Sequence, residues 1–190
     1  MARNIAMLVG SLRKDSFTRK VSNALIELAP PSLQIEHVAI GTLHLYNQDL
    51  EAEPPPEWLA FRDRIRPMDG VIFATPEYNR SIPGGLKNAI DVGSRPYGKS
   101  VFAGKPAAVI SVSPGQIGAF GANHHLRQSC VFLDMPVMQQ PEAYISHVDK
   151  LLDENGKVIE KSRGFLKQFI TAYAAWVELF ATATQQRSAA

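Results

Sequence analysis

The strongest constraint in this chain is a set of short apolar runs that do not alternate with polar residues. "IAMLV" (5–9), "GVIFAT" (70–75) and "PAAVISVS" (106–113) are each too short to be a buried helix, and each ends at a glycine or at a polar, turn-forming stretch. Runs of this kind are strands covered on both faces, which is the condition of a parallel sheet. Helical patterns separate them. Ser16 or Thr18 can cap a helix carrying Val21, Ala24, Leu25 and Leu28, which Pro30-Pro31 ends. Leu33 to Val38 alternates as a second strand. A proline triplet leads into Trp58, Phe61, Arg62 and Ile65 at helical spacing. "LKNAIDVG" reads as a short helix closed by Gly93, and Ala122 to Phe132 as another. "MPVM" (135–138) reads as a fifth strand, and Asn155-Gly156 as a hairpin turn of type I′. From Phe165 to Ala181, the residues Phe165, Leu166, Phe169, Ile170, Tyr173, Trp176, Val177 and Phe180 form one apolar stripe with a period near 3.6, which must dock on its own sheet or on a partner. Five strand-helix alternations without repeat or linker predict a single α/β domain over 1–190, a parallel sheet with helices on both faces.

Charge and cysteine content exclude several classes. A net charge of +2 is too small for a nucleic-acid binder, and no block of like charges forms an interaction tail. The single cysteine, Cys130, permits no intrachain disulfide and sits in the apolar run "SCVFL", as a small hydrophobe rather than a nucleophile. It suits a reducing compartment, and the expected location is cytoplasmic. The adjacent His124 and His125 cannot share a helix face as an i, i+4 ligand pair does, so no metal site is expected and both are read as surface or interface residues. The apolar run after Arg3 is shorter than a signal-peptide core, and no run reaches membrane-spanning length.

Ligands of doubly wound sheets bind at the carboxyl ends of the strands. Three loops there are rich in glycine and polar residues: Gly10 to Thr18, Pro76 to Gly85 and Ser113 to Gly121. The first places Ser11, Ser16 and Thr18 hydroxyls and the Arg13 guanidinium at a helix N-terminus, which suits a phosphate. It is neither a Walker loop nor a G-x-G-x-x-G fingerprint. The other reading of this loop is an ordinary capped turn with a solvated Arg13. In the second loop, Pro76 and Pro83 stiffen a turn whose backbone can bond the edge of a flat heterocycle, with Tyr78 packed along it.

"GSLRKDSFTRK", "PEYNRSIPGGLKNAID" and "SVSPGQIGAFGA" together resemble the NADPH-dependent FMN reductase family, which includes quinone and chromate reductases. The resemblance runs over nearly the whole chain. It implies a flavodoxin-like three-layer sandwich with a five-stranded parallel sheet of order 2-1-3-4-5. It implies that Ser11, Arg13, Ser16, Phe17 and Thr18 hold the phosphate of non-covalent FMN. Pro76, Glu77, Tyr78 and Asn79 would line the isoalloxazine ring, with Ser113, Pro114, Gly115 and Gly118 on its other edge. The implied activity is ping-pong hydride transfer from NADPH or NADH to a small acceptor such as flavin, quinone or chromate. No protein acid or base is required, and the implied assembly is a homodimer or homotetramer. Arg80 and Arg127 are candidates for the nicotinamide cofactor's phosphates or the acceptor's charge, or for surface or interface salt bridges. The chain departs from its relatives at Asp15, where they often have glycine, at Thr18, where asparagine is common, and at Val92-Gly93, where an aromatic often follows "NAID". The alternatives are a non-enzymatic electron carrier, which is usually strongly acidic, and a flavin-free α/β binding module.

Overall fold

The computed structural model describes residues 2–189, with side chains described through residue 181. Five parallel strands, β1 (Arg3–Val9), β2 (Leu33–His37), β3 (Gly70–Thr75), β4 (Ala107–Val112) and β5 (Ala143–Ile145), form one sheet in the order β2-β1-β3-β4-β5. Every residue of β3 and β4 is buried, as the unbroken apolar runs require. Successive side chains go to opposite faces, so each strand feeds two cores. Ile5, Met7, Ile72, Ala74, Ala108 and Ile110 face α1 (Phe17–Leu28) and α5 (Glu160–Ala189). Ala6, Leu8, Val71, Phe73 and Val109 face α2 (Pro56–Ile65), α3 (Gly84–Gly93) and α4 (Phe120–Phe132).

The helices begin where local chemistry lets them. Ser16 is the N-cap of α1, its hydroxyl accepting the Arg19 N–H at 3.1 Å. Pro56 starts α2 at a position where the missing N–H costs nothing. The apolar stripe of α5 docks on its own sheet: Leu166, Phe169, Ile170, Tyr173 and Val177 are buried, the Tyr173 hydroxyl donates to the Pro106 carbonyl at 3.0 Å, and Trp176 Nε1–H donates to the Pro136 carbonyl at 3.0 Å. Phe165 lies off the stripe and is exposed. Among the described residues no helix is long and apolar enough to cross a membrane.

Two local readings are corrected. The fifth strand is Ala143–Ile145, not 135–138. Val137 makes only an isolated bridge to Ala107, and Pro136 has no N–H with which to extend a ladder, so pairing with β4 resumes at Ala143. The turn at Asn155-Gly156 is not type I′, because only Gly156 is left-handed, at φ 74°. The Asp153 carboxylate accepts the N–H groups of Asn155 and Lys157 and stabilises a three-residue loop, closed by the Asp153 N–H to the Lys157 carbonyl at 2.8 Å. α3 closes at Gly93, as its sequence suggests, and the missing side chain there admits the Phe102 ring, which an added Cβ would meet at 2.4 Å.

Candidate functional site

Three loops leave the carboxyl ends of β1, β3 and β4, neighbouring strands at the centre of the sheet, and the change in strand order falls between β1 and β3. The first two loops touch. A Cβ on Gly10 would lie 3.1 Å from Leu86 Cδ2 and 3.2 Å from Pro76 Cδ, so only glycine lets them close on each other without a shift.

The first loop and the start of α1 carry unanswered positive charge. Ser11, Ser16 and Thr18 are buried, Phe17 is half-buried and Arg13 is exposed. Among the described residues the Ser11 and Thr18 hydroxyls have no hydrogen-bond partner, whereas Ser16 is engaged as the helix cap. Among the same residues Arg13, Lys14 and Arg19 form no ion pair. These three cations and Ser11 line a cavity of about 200 Å³, closed by Val38 to Gly41 beyond β2. Burial alone pushes the Arg19 guanidinium below its ordinary value, with no anion to offset the loss of water. Sequence reasoning does not single out Arg19; the signal there is a second cation three residues past the Ser16 cap. Asp15, the anionic departure in this loop, bonds to Lys20, whose ammonium holds the carboxyl below its usual range. Lys20 also lies over the Phe17 ring at 5.7 Å.

The second loop is closed by its own charges. Tyr78 and Ser81 exchange backbone hydrogen bonds of 2.9 Å, with Asn79 and Arg80 between them at φ 49° and 63°. This is a type I′ turn formed without glycine, a left-handed pair that only its surroundings can hold. Pro76 and Glu77 are half-buried, while Tyr78 and Asn79 are exposed. Arg80 Nη1–H donates to Glu77 Oε1 at 3.0 Å, and the Ala122 N–H of α4 donates to Glu77 Oε2 at 3.1 Å. Ser81 Oγ and His125 Nδ1 lie 2.9 Å apart.

In the third loop the Ser113 hydroxyl accepts the Gly115 N–H at 2.9 Å, and Pro114 and Gly115 are exposed. Gly118 is left-handed at φ 58° and lies so close to Tyr144 that a Cβ would be 2.8 Å from its backbone. Behind the loop, the Ser111 hydroxyl donates to the Gly118 carbonyl at 2.7 Å, and Asn123 Nδ2–H donates to Ser111 Oγ at 3.2 Å. Arg127 continues this network, donating to Asn123 Oδ1 at 2.9 Å and to the Met138 carbonyl at 3.0 Å. It braces the loop, and so the structure engages both Arg80 and Arg127 within the protein. Burial pushes the Cys130 thiol up to about 12, so it offers no thiolate.

Hydroxyl and guanidinium donors at a helix N-terminus, beside two braced, half-exposed loops, fit a phosphate carrying a flat ring. Residues 3–150 match the family model described as NADPH-dependent FMN reductase. The chain belongs to the NADPH-dependent FMN reductase family. Members of this family are flavodoxin-like FMN-dependent NAD(P)H oxidoreductases, and this chain is one of them. It is 62% identical to a quinone reductase of Pseudomonas putida, covering 93% of this chain and 95% of that one. It is 48% identical to a 2-hydroxy-1,4-benzoquinone reductase of a Burkholderia species, covering 93% and 97%. The solved structure of the flavoenzyme FerB, an NAD(P)H:(acceptor) oxidoreductase of Paracoccus denitrificans, superposes with a TM-score of 0.88 at 43% identity, over 94% of this chain and 99% of that one. These relatives favour the enzyme over the electron-carrier reading.

Proposed function

We propose that the three loops together hold FMN and that the acceptor reduced by this enzyme is a quinone. The observation that carries the site is the cluster of Arg13, Lys14 and Arg19, none of them in an ion pair, around the buried Ser11 hydroxyl at the N-terminus of α1. An anion there gains fork-shaped, charge-assisted hydrogen bonds and the positive end of the helix. Ser16 and Phe17 shape the turn, and Thr18 adds a hydroxyl. Pro76, Glu77, Tyr78 and Asn79 lie along one side of the ring. Ser113, Pro114, Gly115 and Gly118 bring backbone groups to its other edge.

Bound FMN supplies the hydride chemistry. The protein's part is to orient the ring and to leave one face open for the nicotinamide and the acceptor in turn. That Tyr78 is 49% exposed supports its bordering that face. The quinone reading rests on the two relatives named for quinone reduction at 62% and 48% identity. A homodimer or homotetramer fits the exposed apolar side chains of Val131 and Phe132 at the end of α4 and of Tyr97 beyond α3, and a reducing, cytoplasmic compartment fits the single buried thiol of Cys130.

The test is an anaerobic titration. Protein loaded with FMN is expected to bleach on NADPH or NADH and to recover its visible bands when benzoquinone is added. Bleached protein that benzoquinone leaves unchanged rejects the quinone assignment. Protein that takes up no FMN rejects the site.

A further inference from the structure

We infer that Glu77 is a positioning residue. Its carboxylate straps the left-handed turn of the second loop to the N-terminus of α4, and thereby sets where Tyr78 and Asn79 stand. The inference rests on the reading of these loops as the FMN site, and gives the Glu77 carboxylate a task beyond lining the ring. Four observations support it. The carboxylate is committed on both oxygens, to Arg80 Nη1–H at 3.0 Å and to the Ala122 N–H at 3.1 Å. Its side chain is only 11% exposed. The N-cap residue of α4, Ala119, is left-handed and offers no side chain to the helix's free N–H groups, so Glu77 supplies the cap from a loop 45 residues away in sequence. Finally, Gly121 leaves the space the strap needs: a Cβ there would lie 2.6 Å from the Arg80 carbonyl oxygen and 2.9 Å from Glu77 Oε2.

These contacts explain how Asn79 and Arg80 hold a conformation that side-chain-bearing residues rarely adopt. They also join the second loop to the third, since Gly118 and Ala119 lead directly into α4. Moving the strap moves both edges of the ring site together.

The experiment uses Glu77→Ala, Glu77→Gln and Gly121→Ala. It reads amide hydrogen exchange at Ala122 in the apoprotein, then FMN affinity by fluorescence quenching and the visible circular dichroism of bound FMN. In Glu77→Ala the Ala122 amide is expected to exchange at least tenfold faster, FMN to bind at least tenfold more weakly, and the visible dichroism to change while far-ultraviolet dichroism does not. Glu77→Gln keeps an oxygen that accepts the Ala122 N–H and is expected to recover most of the protection and affinity. Gly121→Ala forces the strap apart from the helix side and is expected to reproduce the affinity loss, even if Glu77→Ala does not fold. Unchanged Ala122 exchange and unchanged FMN affinity in a folded Glu77→Ala protein overturn the inference. So does a Glu77→Gln protein as weak as Glu77→Ala, which would mean that the charge itself contacts the ligand. Wild-type protein that binds no FMN would instead reject the site, while the Ala122 exchange would still report on the strap.

Discussion

The first and second loops stand side by side and touch at Gly10 and Pro76, yet they treat charge in opposite ways. The Gly10 to Thr18 loop leaves Arg13 and Lys14 outside any ion pair among the described residues, and Arg19, just beyond it in α1, stands partly desolvated. The second loop directs its one carboxylate inward, to its own Arg80 and to a neighbouring helix end. A charge left uncompensated at a helix N-terminus is available to an anion from outside the protein. A charge satisfied on both oxygens holds a backbone in place. On the proposed reading, binding and positioning are divided between adjacent loops, and residue type alone does not say which loop does which.

The largest test of this contrast removes both guanidiniums around the first loop. Arg13→Ala with Arg19→Met should weaken FMN binding by about 1.5–3 kcal/mol for each charge-assisted hydrogen bond removed, on the order of ten- to a hundredfold apiece. The melting temperature of the apoprotein should hold or rise, since neither cation takes part in an ion pair of the fold. A large fall in apoprotein stability would show that these cations serve the fold. Next in size is Ser16→Ala, which removes the cap of α1 and should cost about 1 kcal/mol of stability, read by denaturant unfolding of the apoprotein.

A pH titration probes the same loop. Burial first, and then the Arg19 charge, push the His37 imidazole from 6.5 down to about 4. The folded protein therefore refuses a proton that the unfolded chain accepts near 6.5. Stability from this source is complete above about pH 6.5 and is lost as the pH falls toward 4. His37→Asn should flatten that limb. In the FMN-loaded protein the His37 titration, followed by NMR, should move upward as a bound phosphate offsets Arg19. No movement would place the phosphate away from Arg19. The smallest effect is expected from Asp15→Asn. Its carboxylate is solvent-exposed, so stability should barely change, and FMN affinity should rise slightly as a nearby negative charge is removed.

The three central strands, the order of helices and the apolar stripe of α5 are legible in the residues alone, because period and unbroken hydrophobicity are local properties that burial must satisfy. So is the position of all three loops at strand ends. Tertiary structure decided the rest. The fifth strand lies at Ala143–Ile145 rather than 135–138 because a ladder needs N–H donors along β4, and Pro136, whose carbonyl accepts the Ala107 N–H, has none to give. The type I′ turn formed at Asn79-Arg80 and not at Asn155-Gly156, because Glu77 and α4 hold the one while the Asp153 carboxylate claims the other. Arg19 and Glu77 took opposite roles for the same reason. Whether a charge is answered depends on groups far away in sequence, and only the folded chain brings them within a few ångströms.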